Sequence, residues 1–195
     1  MIKYLLLGIF VKLITGFDDT IMHIPVLANI TKRRLGKVAY SIGMLAAICL
    51  AITIAVIFAE ILRHFIFYRY ISAGLVFLLA IFIYFDVLIH KPRRRAEQKL
   101  AKSKKITTER FLHLIGIGFI VSAATVIDDI IAYTPLFLSS FYFSAFAIAG
   151  IIIATLLEIL IVIYLSKKIY HFRYKKEVAT FGLLVLGVLI LSGII

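Results

Sequence analysis

This 195-residue chain is short of charge, shorter still of acid, and almost without cysteine. Charged residues make up 16% of it and hydrophobic ones 63%, with a mean hydropathy of +1.09. That balance is too apolar for a soluble domain. Cys49 is the single cysteine, which excludes a disulfide framework and a CxxC redox motif. Its place inside an apolar run predicts a buried filler. Acidic residues number ten against 22 lysines and arginines. The resulting charge of +12 predicts no nucleic-acid partner, because the basic residues fall in short loops between apolar runs and read as topology signals. No cleaved signal peptide is expected. Lys3 precedes a short apolar run, but Lys12, Asp18 and Asp19 follow without a small-residue cleavage site.

What is present is a set of runs of membrane-spanning length. Residues 38–59 and 178–195 are uncharged; 142–165 is interrupted only by Glu158, and 71–89 only by Asp86. Two further segments, 4–30 and 111–138, carry aspartate pairs. The expectation is an all-α integral membrane protein of six transmembrane helices in one transporter domain. Its first repeat covers 1–90, a basic cytoplasmic connector 91–110, and the second repeat 111–195. The connector holds nine lysines and arginines and two glutamates, and suits anionic lipid headgroups. Loops after the first, third and fifth spans carry four, nine and five basic residues; the remaining ends carry three. This bias predicts a multi-pass plasma-membrane protein with both termini extracellular and the basic loops cytoplasmic. Three spans per half then makes the halves a 3+3 inverted repeat.

The repeat is legible in the residues. Gly8, Val11, Thr15, Asp18, Asp19, Ile21 and Pro25 recur as Gly118, Val121, Thr125, Asp128, Asp129, Ile131 and Pro135, without a gap. Gly8, Val11, Thr15, Asp18, Met22 and Pro25 step by three, four or seven, which is one helix face. Gly16, Pro25 and Pro135 are expected to break or loosen their helices. Proline removes a backbone donor and frees a carbonyl beside the carboxylates.

Seven of the ten acidic residues lie in apolar spans. A carboxylate at the bilayer centre costs about 2.5–3.5 kcal/mol on insertion scales. Protons or a bound cation must offset that cost, since nearly all basic residues are in loops. Lys12 is the exception; it either snorkels or turns inward to pair with an aspartate. Asp18, Asp19, Asp128 and Asp129 are therefore the expected metal site, with Thr15 and Thr125 one turn away. Such a cluster titrates as a unit and binds metal and protons in competition. Met22 and His23 offer a softer contact, although their repeat counterparts, Ala132 and Tyr133, do not. Glu60 and Glu158 are candidate gating or proton-carrying groups, with local pairing to Arg63 and His64 the simpler expectation for Glu60. Asp86, beside His90 and Lys91, is expected to cap its helix or pair with the basic loop.

Thr15-x-x-Asp18-Asp19, together with Asp128-Asp129-Ile-Ile-Ala-Tyr133-Thr-Pro135-Leu-Phe137, resembles the cadmium-resistance transporter family. That family belongs to the LysE superfamily of six-span cation exporters, beside the TerC-like and manganese-exporter branches. Related families carry Asp-Asn in the second motif, where this chain has Asp128-Asp129. The resemblance implies cation efflux; the residues alone imply a buried cation site without a direction. The expectation is thus a secondary transporter, not an enzyme, without a resident cofactor. It would exchange a divalent ion of the cadmium, manganese, zinc or calcium class for protons. Its partners are the ion, protons and the bilayer; a homo-oligomer is left open. The alternative is an intramembrane metal-dependent enzyme acting on a lipid diphosphate. It is disfavoured because such sites need basic residues to grip phosphate, and the carboxylate helices hold only Lys12.

Overall fold

The structure is a computed structural model. It describes the backbone of residues 1–30, 34–85, 108–123, 126–164 and 175–193, and their side chains except 17–22, 24–30, 34, 108–110 and 175–176. Among the described residues there are seven α-helices and no strand. They are α1 Ile2–Ile30, α2 Arg34–Arg63, α3 Tyr68–Tyr84, α4 Thr108–Ala123, α5 Val126–Phe137, α6 Phe141–Tyr164 and α7 Lys175–Leu191. α2 and α6 are long and apolar enough to cross a membrane, and α4 with α5 makes a third span if the bent pair is counted as one. α3 and α7 are shorter apolar helices.

The helices are apolar outside and carry their polar groups inside. On α6 the outward face is Ile152, Ile153, Leu156, Leu157 and Leu160, whereas Gly150, Thr155 and Glu158 are buried. On α2 the exposed residues include Leu50, Ile54, Ile57 and Ile61, and the buried stripe is Ala47, Ala51, Ala55 and Ala59. A helix in water would reverse this. In lipid the tails are as apolar as leucine, so helices associate through small residues that let backbones close in, and through interhelical hydrogen bonds. Cys49 follows the same logic. It was expected inside but is exposed on α2, because alanines take the inward positions.

Two close crossings organise the bundle. α1 packs along α6, where a β-carbon at Gly8 would strike the Ala147 carbonyl and one at Gly150 the Leu5 carbonyl. α2 packs along α4, where a β-carbon at Gly118 would strike the Tyr40 carbonyl and one at Gly43 the Ile115 carbonyl. These contacts correspond residue for residue. Gly8 and Leu5 map onto Gly118 and Ile115, 110 residues on, while Ala147 and Gly150 map onto Tyr40 and Gly43, 107 residues back. α3 and α7 pack together, and α5 touches α1, α2, α3 and α6.

The expected helix breaks need correction. α1 runs through Gly16 and Pro25, and α5 contains Pro135 and continues to Phe137. The bend falls earlier, between α4 and α5, whose axes differ by 64°. Pro135 costs the helix one bond, to the Ile131 carbonyl, and the helix ends two residues later. Just ahead of it, Thr134 Oγ1 donates to the Ile130 carbonyl at 2.6 Å. Arg63 then closes the helix end, donating to the carbonyls of Phe137, at 2.7 Å, and Ser139. A guanidinium there meets the negative end of the helix dipole.

The ends of the bundle are also distinct. One end brings together Tyr4, Arg63 and Ser139, with Arg69 against Gly193. At the other, Lys37 Nζ donates to the Ile163 carbonyl at 3.5 Å.

Candidate functional site

α5 places its acidic pair. Asp128 and Asp129 stand in its first turn, where unpaired backbone N–H groups and the positive end of the helix dipole favour carboxylates. Asp129 faces the centre of the bundle and is wholly buried. Two groups on α1 meet it, and one of them also meets an acid on α6. Thr15 Oγ1 on α1 donates to Asp129 Oδ1 at 2.7 Å. Lys12 Nζ, one turn earlier on α1, lies 3.4 Å from Asp129 Oδ2. The same ammonium lies 3.3 Å from Glu158 Oε2 on α6. Lys12 and Glu158 are both buried.

Gly16 makes this approach feasible. A β-carbon there would sit 2.8 Å from Glu158 Oε2 and 3.2 Å from Lys12 Cε. Its absence leaves room for the glutamate. Gly16 therefore serves the site by space, whereas the expectation was a helix break.

Two further polar atoms stand near the cluster without a hydrogen-bond partner among the described residues. They are Asp128 Oδ1 and Tyr133 Oη, both buried. The Tyr133 hydroxyl lies close to the Asp129 carboxylate and within electrostatic reach of Lys12 and Glu158. An unsatisfied buried polar atom costs about 1–3 kcal/mol, so such atoms ask for a ligand.

The second crossing carries a different polar group. His23 on α1 is buried, and its Nδ1 shares a hydrogen bond of 2.5 Å with the Tyr40 hydroxyl on α2. Its Nε2 lies 3.5 Å from Ser122 Oγ on α4. With both ring nitrogens engaged, His23 ties three helices together.

Of the expected site residues, the structure joins Thr15, Asp129 and Glu158, with Asp128 beside them. Glu60 stands apart: it is exposed and pairs with Arg63 at 2.7 Å. Asp18, Asp19, Met22 and Pro25 lie on α1 with side chains outside the described residues, and Thr125 and Asp86 are outside them altogether. Among the described residues no group of three His, Cys, Asp or Glu stands close enough to hold a metal ion. Sequence reasoning missed Tyr133, Tyr40 and Ser122, and left Lys12 open between two fates. One signal was available: Ser122 and Tyr133 are the repeat counterparts of Lys12 and His23. Both pairs keep polar atoms at positions where an apolar span needs none.

Comparison with protein-family profiles, curated proteins and solved structures finds no match to this chain.

Proposed function

We propose that this protein is a secondary transporter that exports a divalent metal ion in exchange for protons, using Asp129 and its neighbours as the binding site. The observation that carries the reading is the buried carboxylate of Asp129, held by Thr15 from the other half of the chain. Asp18 and Asp19, three and four residues beyond Thr15, complete the ligand set in this reading, together with Asp128. The orphaned Asp128 Oδ1 supports it, since a hard cation supplies what that oxygen lacks.

The wider architecture in this proposal is six spans in a 3+3 inverted repeat. The matched glycine crossings support it: the first helix of each half packs on the second helix of the other at constant offsets. The bundle ends support an even number of crossings, since residues from both ends of the chain, Tyr4 and Gly193, share one end with Arg63 and Arg69. That end is the poorer in basic residues and is extracellular in this proposal. The resemblance to cadmium-resistance transporters supplies the direction, efflux.

Proton exchange follows from competition. A site of clustered carboxylates binds metal only as its protons leave, so metal affinity falls as pH drops through the range where the cluster titrates. The test is purified protein in liposomes. An imposed proton gradient is expected to drive divalent-ion flux, and ion flux to move protons the other way. Ion flux that ignores the gradient, with affinity flat from about pH 5 to 8, would remove the proton from the reading and leave a uniporter.

A further inference from the structure

We infer that Lys12 is a tethered counter-cation: its ammonium holds the place of the transported ion at Asp129 and withdraws onto Glu158 when that ion arrives. The inference rests on the cation-transport reading above and adds a residue that limits affinity and enforces release.

The geometry carries it. Lys12 Nζ lies between two carboxylates on two different helices, 3.4 Å from Asp129 on α5 and 3.3 Å from Glu158 on α6. Committed charge-assisted bonds are shorter, about 2.7–2.9 Å. The ammonium is thus shared, and a small swing of a four-carbon stem decides which acid it neutralises. Asp129 is bonded to Thr15 and adjacent in sequence to Asp128, whose Oδ1 is orphaned among the described residues. Glu158 has room beside Gly16, where no β-carbon intrudes. One acid therefore belongs to the ion site and the other stands beside it as an alternative dock for the amine.

The energetics need such a device. An empty site with uncompensated buried carboxylates is costly, and losing one partner of a buried pair leaves the other charge exposed to that cost. A lysine that fills in for the ion keeps the empty state stable. It also competes with the ion, so binding is weak enough to permit release. In this proposal what changes is the carboxylate that Lys12 faces. The repeat counterpart of Lys12 is Ser122, so only one half of the chain carries the amine.

The test uses full-length protein in lipid nanodiscs and in liposomes. Thermal unfolding is followed while Mn²⁺, Cd²⁺, Zn²⁺ or Ca²⁺ is titrated, and flux is measured for the ion that binds. Lys12→Met is expected to bind that ion about tenfold more tightly yet transport it more slowly, because nothing displaces it. Glu158→Gln is expected to bind about tenfold more weakly, because the amine loses its second dock and stays on Asp129. Should Lys12→Met fail to fold, Lys12→Arg decides: a guanidinium grips both carboxylates bidentately and should weaken ion binding. Unchanged or weaker binding by Lys12→Met, or unchanged binding by Lys12→Arg or by Glu158→Gln, overturns the role of Lys12. If wild-type protein binds an ion and Asp129→Asn does not, that failure concerns Lys12 alone. If none of the four ions stabilises wild-type protein, the cation site itself is wrong and the inference falls with it.

Discussion

The α1–α6 and α2–α4 crossings share a backbone design and differ in chemistry. Both close on paired glycines at matching positions. Beside the first lies a charged group: Lys12, Asp129 and Glu158, with Thr15. Beside the second lies a neutral one: His23, Tyr40 and Ser122. By the same offsets the counterpart of Glu158 is Ala51, which is buried in the core, and that of Lys12 is Ser122. One crossing is thus lined by charged side chains and the other by a hydrogen-bonded chain. Backbone approach needs small residues in both halves and tolerates no drift there. Side chains one turn away are free to diverge, so one crossing holds an ion-paired lysine while the other holds a hydrogen-bonded strut.

The largest effect should come from Asp129→Asn, which keeps shape and removes charge. Ion flux in liposomes is expected to fall to background while the protein still inserts, whereas His23→Gln at the neutral crossing should retain measurable flux. Equal loss in both would erase the functional distinction between the crossings. Gly8→Ala and Gly118→Ala come next. Each forces a methyl group into a neighbouring backbone carbonyl, and overpacking of this kind costs typically about 1–3 kcal/mol. Thermal unfolding in detergent should show similar losses for both; one costly and one neutral substitution would break the correspondence. Tyr40→Phe takes away the partner of His23 Nδ1 and leaves it buried, at a cost of about 1–3 kcal/mol by the same measurement, with flux largely kept. Lost flux with unchanged stability would instead make the neutral crossing part of the transport path. Glu60→Gln should do least. Its pair with Arg63 is largely exposed, and such pairs contribute about 0–1 kcal/mol. Arg63 also keeps its bonds to Phe137 and Ser139. A large loss of flux there would restore Glu60 as a gating group.

Much of this was readable from spacing. The helical segments and the inward placement of Thr15 and Asp129 follow from periodicity and from the cost of carboxylates in apolar runs. Glu60 was readable because its partner is three residues away. Glu158 was not, because its partner is Lys12, 146 positions earlier in the chain and on another helix. Gly16 misled for a related reason. In isolation it reads as a weak point of a helix; in the bundle it is a space kept for a neighbour's carboxylate.

Composition and patterning alone therefore settle that the chain is helical, rich in apolar segments, and marked by paired acids at two matching places in its sequence. These are local properties: a helix period, a hydropathy and a desolvation cost belong to a segment wherever it packs. Which acid meets Lys12, which histidine becomes a strut and where the second acidic segment bends are decided by contacts between helices far apart in the chain. A one-turn shift along either glycine crossing would preserve every segment and exchange those partners, so only the packing of backbone on backbone selects them.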